Sequence, residues 1–166
     1  MKWFKKADEL GVKKAANEIG ILYDRGLGVN KNTKEAIKWY LKAANNDIPV
    51  SCYNLGIKYQ YDEKNYKLAK SWYIKAINLK YDNARYQLAK LYLYDIKDYT
   101  KGFKQANEAY NILKSDESQI LLGLCYKNGW GCSKDKAYAK QLIKPLADKG
   151  NKEAKNAMSG LGLFGF

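Results

Sequence analysis

The amino-acid sequence predicts an all-α fold, a solenoid of helix-turn-helix repeats, on three observations. A tryptophan-centred pentapeptide recurs, as Trp3-Phe4-Lys5-Lys6-Ala7, Trp39-Tyr40-Leu41-Lys42-Ala43 and Trp72-Tyr73-Ile74-Lys75-Ala76, at intervals of 36 and 33 residues. A second motif interleaves with it: Ile19-Gly20-x-x-Tyr23, Leu55-Gly56-x-x-Tyr59, Leu88-Ala89-x-x-Tyr92 and Leu122-Gly123-x-x-Tyr126, at intervals of 36, 33 and 34. Both sit on apolar stripes of helical period, Ala15, Ile19, Gly20 and Tyr23 on one face and Ala36, Trp39, Tyr40 and Ala43 on another. Two helical motifs alternating at a period of about 35 define a repeat of paired helices.

Taken in chain order within a single domain, 1–166, residues 1–11 read as a second helix without its first. Repeat 1 follows over 12–47, repeat 2 over 48–81, repeat 3 over 82–115 and repeat 4 over 116–150, and 151–166 read as a first helix without its second plus a tail. Half-repeats at the ends suit capping of a stacked core. In repeat 1 the connector Asp24-Arg25-Gly26-Leu27-Gly28-Val29 carries two glycines, which accept the positive φ that ends one helix and turns the chain back. Lys127-Asn128-Gly129-Trp130-Gly131-Cys132 has the same form, whereas repeats 2 and 3 lack it and are three residues shorter there. A glycine inside the first helix costs about 1 kcal/mol relative to alanine, so its recurrence predicts close packing of two helices. The apolar tail Gly160 to Phe166 is expected to cover the last helix.

On these residues the chain resembles the Sel1-like repeat family, relatives of tetratricopeptide arrays, whose pattern runs A-x-x-x-L-G-x-x-Y-x-x-G-x-G-V and then K-A-x-x-W-Y-x-K-A-A-x-x-G. Ala15 to Ala44 match it nearly throughout; repeat 3 departs, with Gln105 where Trp39 and Trp72 stand. The resemblance implies a right-handed α-solenoid whose first helices line a concave face at positions five, nine, twelve and thirteen, when the repeat glycine is eight. Those positions are Asn17, Ile21, Asp24 and Arg25; Tyr53, Ile57, Gln60 and Tyr61; Tyr86, Lys90, Leu93 and Tyr94; and Ile120, Leu124, Lys127 and Asn128.

The partner-binding residues expected from this register are Tyr53, Ile57, Tyr61, Tyr86, Lys90, Tyr94, Leu124 and Lys127. Tyr53 with Tyr86 and Tyr61 with Tyr94 stand 33 residues apart, which predicts two tyrosine rows. They fall outside the repeat-core positions, so internal packing is not expected to account for them. Tyrosine joins a large contact area to few rotors and a polar tip, the combination favoured at interfaces. Tyr23, Tyr59, Tyr92, Tyr126, Trp39 and Trp72 are expected in the core.

Composition excludes much chemistry. There is no histidine, which removes Ser-His and Cys-His nucleophilic sites and imidazole bases together. Three cysteines, Cys52, Cys125 and Cys132, show no CxxC spacing and lack partner ligands, so neither a metal nor any cofactor is expected. Carboxylate pairs such as Asp62-Glu63 and Asp116-Glu117 fall in turns or at helix starts, where acids complement the helix dipole. No catalytic residue is expected, and the chain reads as a non-enzyme.

Basic residues exceed acidic ones by 30 to 17, a net +13, but 28 of the 30 are lysine. Without arginine's flat fork such a surface is poorly suited to reading bases, which leaves non-specific nucleic-acid binding through lysines as an alternative and attraction of acidic proteins as the main expectation. Met1 to Lys6 hold no apolar leader core and no window reaches 18 apolar residues, so no membrane association and a cytoplasmic location are expected. The sequence thus points to a protein-binding module. Its resemblance to small bacterial Sel1-like proteins implies, most specifically, an immunity protein that neutralises a partner toxin or effector with an acidic surface, the alternative being a scaffold or regulatory adaptor.

Overall fold

The computed structural model describes residues 1–161, so the last five residues of the tail lie outside it. Among the described residues there are ten α-helices and no strand: α1 (Lys2–Glu9), α2 (Ala15–Arg25), α3 (Thr33–Asn45), α4 (Pro49–Ile57), α5 (Tyr66–Asn78), α6 (Asn83–Lys90), α7 (Tyr99–Leu113), α8 (Asp116–Asn128), α9 (Lys136–Asp148) and α10 (Lys152–Met158). The chain forms two compact halves, Met1–Ala84 and the residues from Arg85 onward. In the first, α2 packs on α1 and α3, and α4 on α3 and α5; in the second, α8 packs on α7 and α9, and α10 on α9.

The second helix of each of the four repeats starts on a side-chain cap. Asn32, Asn65, Asp98 and Asp135 accept from the amides of Glu35, Leu68, Lys101 and Tyr138 at 2.8–3.1 Å. Such caps contribute about 0.5–2 kcal/mol apiece. The amide of the cap residue reaches back to the repeat tyrosine's carbonyl, Asn32 to Tyr23 at 2.8 Å, Asn65 to Tyr59 at 2.7 Å and Asp135 to Tyr126 at 2.9 Å. That bond closes the connector whatever its length.

Two devices end the first helices. α2 and α8 stop at Gly26 and Gly129, both left-handed, and the amides of Leu27 and Trp130 bond back to Leu22 and Cys125. The shorter connectors use a π-helical segment instead, Lys58–Asp62 after α4 and Leu91–Ile96 after α6. A left-handed lysine follows each, Lys64 and Lys97.

The seam between paired helices explains the recurring glycine. A Cβ on Gly20 would lie 2.6 Å from the Tyr40 ring, and one on Gly56 would lie 2.4 Å from Tyr73. Tyr40 and Tyr73 are fully buried, whereas Trp39 and Trp72, expected in the core, are only half-buried. The tyrosine takes the place against the glycine, which turns its tryptophan neighbour partly outward under a lysine. Lys42 Nζ stands 5.4 Å over the Trp39 ring and bonds Asp8; Lys75 Nζ stands 5.8 Å over Trp72, bonds the Ala44 carbonyl at 2.9 Å and pairs with Asp47 at 3.0 Å. The lysine of the pentapeptide therefore ties one second helix to the end of the one before it. Tyr92 is buried as expected, while Tyr23, Tyr59 and Tyr126 are half-buried.

Candidate functional site

The residues singled out on the first helices separate by position. In the first half Tyr61 lies on the π-helical end of α4 and is 41% exposed, and in the second Tyr94 stands at the equivalent place after α6, 43% exposed. Both tyrosines are partly exposed. Tyr94 meets Trp130 edge to face with centroids 5.5 Å apart, and burial of its hydroxyl, helped by Cys125 and Glu153, pushes its pKa up to about 12. It stays a neutral donor over the physiological range.

Position five behaves differently, which corrects the expectation that internal packing leaves these tyrosines unexplained. Tyr53 is half-buried, its ring centroid 6.2 Å from that of Tyr73 and 5.2 Å from that of Tyr81. Tyr86 packs on the cluster of Ala89, Leu93, Ala106, Leu121 and Cys125, with Lys90 Nζ 5.4 Å over its ring. Both serve their own half first. Ile57 and Leu124 are half-buried, and Leu124 joins the cluster around Ile143 and Met158. Lys127 donates to the carbonyls of Ala157 at 2.9 Å and of Ser159, holding the end of α10. It is a structural tether.

Position twelve belongs to the seam. The Tyr73 hydroxyl donates to Gln60 Oε1 at 2.8 Å, and Gln60 is 1% exposed; burial, with the Asp24 charge nearby, raises the pKa of the Tyr40 hydroxyl. In repeat 3 the place of Tyr73 is taken by Ala106, and Leu93 stands at position twelve, buried, where a Cβ on Gly102 would lie 2.5 Å from it. Asn17 and Ile120, mapped to the surface at position five, are buried as well. Asn17 accepts from the Ser51 hydroxyl at 2.9 Å and the Asn54 amide at 3.3 Å, so it joins α2 to α4.

Lys58 is not among the residues singled out from the sequence. Its side chain is 12% exposed and lies 2.5 Å from Asp24 and 2.8 Å from Asp62. Burial alone lowers its pKa, and the two carboxylates outweigh that and raise it. The signal was present in the i, i+4 spacing of Lys58 and Asp62. Beside this face, Lys14, Asn17, Glu18, Ile48, Pro49, Val50 and Tyr81 enclose a cavity of about 260 Å³.

Chemistry at the cysteines is muted. Cys125 is buried, and burial pushes its thiol up to about 12; Cys132 is half-buried on the same cluster, its thiol also raised by burial. A thiol so raised is a poor nucleophile at neutral pH. Among the described residues no group of three His, Cys, Asp or Glu could hold a metal ion, and no helix is long and apolar enough to cross a membrane.

The model of the Sel1 repeat matches residues 13–48, 49–81, 82–106 and 116–151. The chain belongs to the Sel1 repeat family. Similar solved structures include a Sel1 repeat protein from Oxalobacter formigenes, 32% identical with a TM-score of 0.70 over 86% of this chain and 61% of that one. Another is c5321, a protective antigen present in uropathogenic Escherichia coli strains, 25% identical with a TM-score of 0.82 over 96% of this chain and 36% of that one. Among curated proteins, the ERAD-associated E3 ubiquitin-protein ligase component HRD3B of Arabidopsis thaliana is 41% identical over 58 residues, 34% of this chain and 8% of its own length. The chain thus spans under two thirds of each of these relatives. Sel1 repeats are all-α solenoid modules that generally serve as protein-interaction scaffolds, and this chain has four of them.

Proposed function

We propose that this Sel1 repeat chain is a non-enzymatic module that binds a partner protein through the first-helix face of its repeats. The most specific reading is a bacterial immunity protein whose partner is a toxin or effector with an acidic surface. The observation that carries the binding reading is the pair Tyr61 and Tyr94, exposed at the same register of repeats 2 and 3 while the tyrosines eight residues before them are packed away. Rigid aromatic rings at repeated positions are the anchors from which interfaces draw most of their energy. The lysine excess, +13 net, favours an acidic partner and speeds the encounter with it.

The test is parallel affinity capture from the native host with the parent chain, with Tyr61→Ala/Tyr94→Ala and with the second-helix control Lys67→Ala/Lys104→Ala, read by quantitative mass spectrometry. One near-stoichiometric acidic partner, lost with the tyrosine pair and kept with the lysine pair, supports the inhibitor reading; loss of binding should be on the order of 2–4 kcal/mol. Several weak partners would favour a scaffold, and salt-sensitive capture of nucleic acid would favour the lysine-driven alternative. Capture unaffected by the tyrosine pair would remove the first-helix face from consideration.

A further inference from the structure

The second helix of repeat 1 carries a feature that the tyrosine face does not use. A groove of about 650 Å³ runs beside α3, with Ile37, Leu41 and Tyr59 contributing apolar lining and Lys34, Lys38 and Lys42 contributing cations. Lys34, Lys38 and Lys42 are spaced i, i+4, i+8, one line along the helix about 12 Å long, and Ile37 and Leu41 form the line beside it. Lys42 is held by Asp8, and Lys38 stands only 4.0 Å from Glu35 with its side chain 74% exposed. Among the described residues no carboxylate pairs with Lys34. Glu63 is the one acid in the lining.

We propose that this groove is a second docking site, which takes an acidic peptide segment of a partner protein carrying a bulky apolar side chain among its carboxylates. Charge complementarity selects the class of occupant: Lys34, and Lys38 with its loose 4.0 Å pairing to Glu35, are cations set beside apolar surface that a hydrocarbon side chain would cover. A nucleic-acid strand fits less well, since the lining offers one aromatic ring, Tyr59, and no arginine, where strand binding uses a series of stacking platforms. A second copy of the chain is disfavoured by like charge, the whole chain being +13. Tyr61 and Tyr94 are not among the lining residues, so the two sets of side chains can be varied separately.

The experiment titrates the full ¹⁵N-labelled chain with an acetylated Glu-Asp-Glu-Leu-Phe-Glu-Asp-Glu peptide, with amide shifts and fluorescence anisotropy as readouts. The shifts should concentrate in α3 and around Tyr59 to Glu63. Lys34→Glu/Lys38→Glu should weaken binding by about tenfold or more with unchanged circular dichroism, while Lys34→Arg/Lys38→Arg should bind within about twofold of the parent. The same peptide with Leu-Phe replaced by Ala-Ala should bind about fivefold more weakly or worse. Shifts that map elsewhere, charge reversal without effect, equal binding of the alanine peptide, or tighter binding of oligothymidylate at the same amides would each overturn the proposal.

Discussion

In repeat 2 the bulk at the helix seam sits on the second helix, where Tyr73 lies against Gly56; in repeat 3 it sits on the first helix, where Leu93 lies against Gly102. Each seam pairs one large side chain with a residue that has none, and the two helices have exchanged roles. The exchange carries a hydroxyl with it. Tyr73 needs an acceptor once buried and finds Gln60 at position twelve; Leu93, at that same position, needs none. Repeat 1 follows repeat 2 in packing Tyr40 on Gly20, with the Asp24 charge near its hydroxyl, and repeat 4 puts Ile143 on Gly123, which leaves Lys127 at position twelve to reach α10. Position twelve in repeats 2 and 3 thus answers to the opposite helix, while Tyr61 and Tyr94 at position thirteen stay partly exposed.

The largest expected effect comes from emptying the seam. Tyr73→Ala should destabilise the chain by about 3–5 kcal/mol and Leu93→Ala by about 2–5 kcal/mol in urea melts, although the two residues lie on opposite members of their pairs. If Leu93→Ala cost as little as a surface change, the exchange of roles would be rejected.

The two glycine connectors sharpen the contrast. Gly28 and Gly131 share φ near +70°, but a Cβ on Gly28 meets nothing within 4 Å, whereas one on Gly131 would lie 2.2 Å from the carbonyl oxygen of Tyr99. Gly28→Ala should cost about 1 kcal/mol of backbone strain and Gly131→Ala about 3 kcal/mol, because main chain must also move. Equal costs would show that the backbone at Tyr99 yields freely.

The smallest effect has the opposite sign. Gly11 and Gly150 end second helices in the left-handed region, and Asp47, Lys80 and Lys114 do the same without being glycine. Lys80→Gly and Lys114→Gly should each raise stability by about 0.5–1 kcal/mol, read as a higher melting temperature, since the relieved strain exceeds the entropy glycine adds to the unfolded chain. A lower melting temperature in both would mean the lysine side chains hold more than the strain costs.

The paired helices and the seam glycines of repeats 1, 2 and 4 follow from periodicity and residue type, which act over a few residues and so leave a local trace; Gly102 of repeat 3 lies outside the recurring motif, in which Ala89 stands instead. The π-helical ends do not follow in this way: only the three missing residues in the connectors of repeats 2 and 3 marked them. Trp39 and Trp72 read as core because they fall on the apolar stripe, yet the seam has room for one large ring against each glycine, and Tyr40 and Tyr73 take it. Gln60 read as surface because the resemblance puts position twelve on the concave face, and its side chain instead accepts from a hydroxyl 13 residues away. The presence of that tyrosine in repeats 1 and 2, and its absence where Ala106 and Ile143 stand, was the trace that could have placed it.

The division between positions twelve and thirteen is tested most directly by a double-mutant cycle on Tyr73→Phe and Gln60→Leu, with Tyr61→Phe and Gln60→Leu as the reference cycle, all in urea. The first cycle should show a coupling of about 1 kcal/mol, the double variant losing less than the sum of its parts because the leucine no longer needs the hydroxyl. The reference should be additive within about 0.5 kcal/mol. Additivity in the first cycle would contradict the account, since Gln60 would then owe its burial to something other than the tyrosine across the seam.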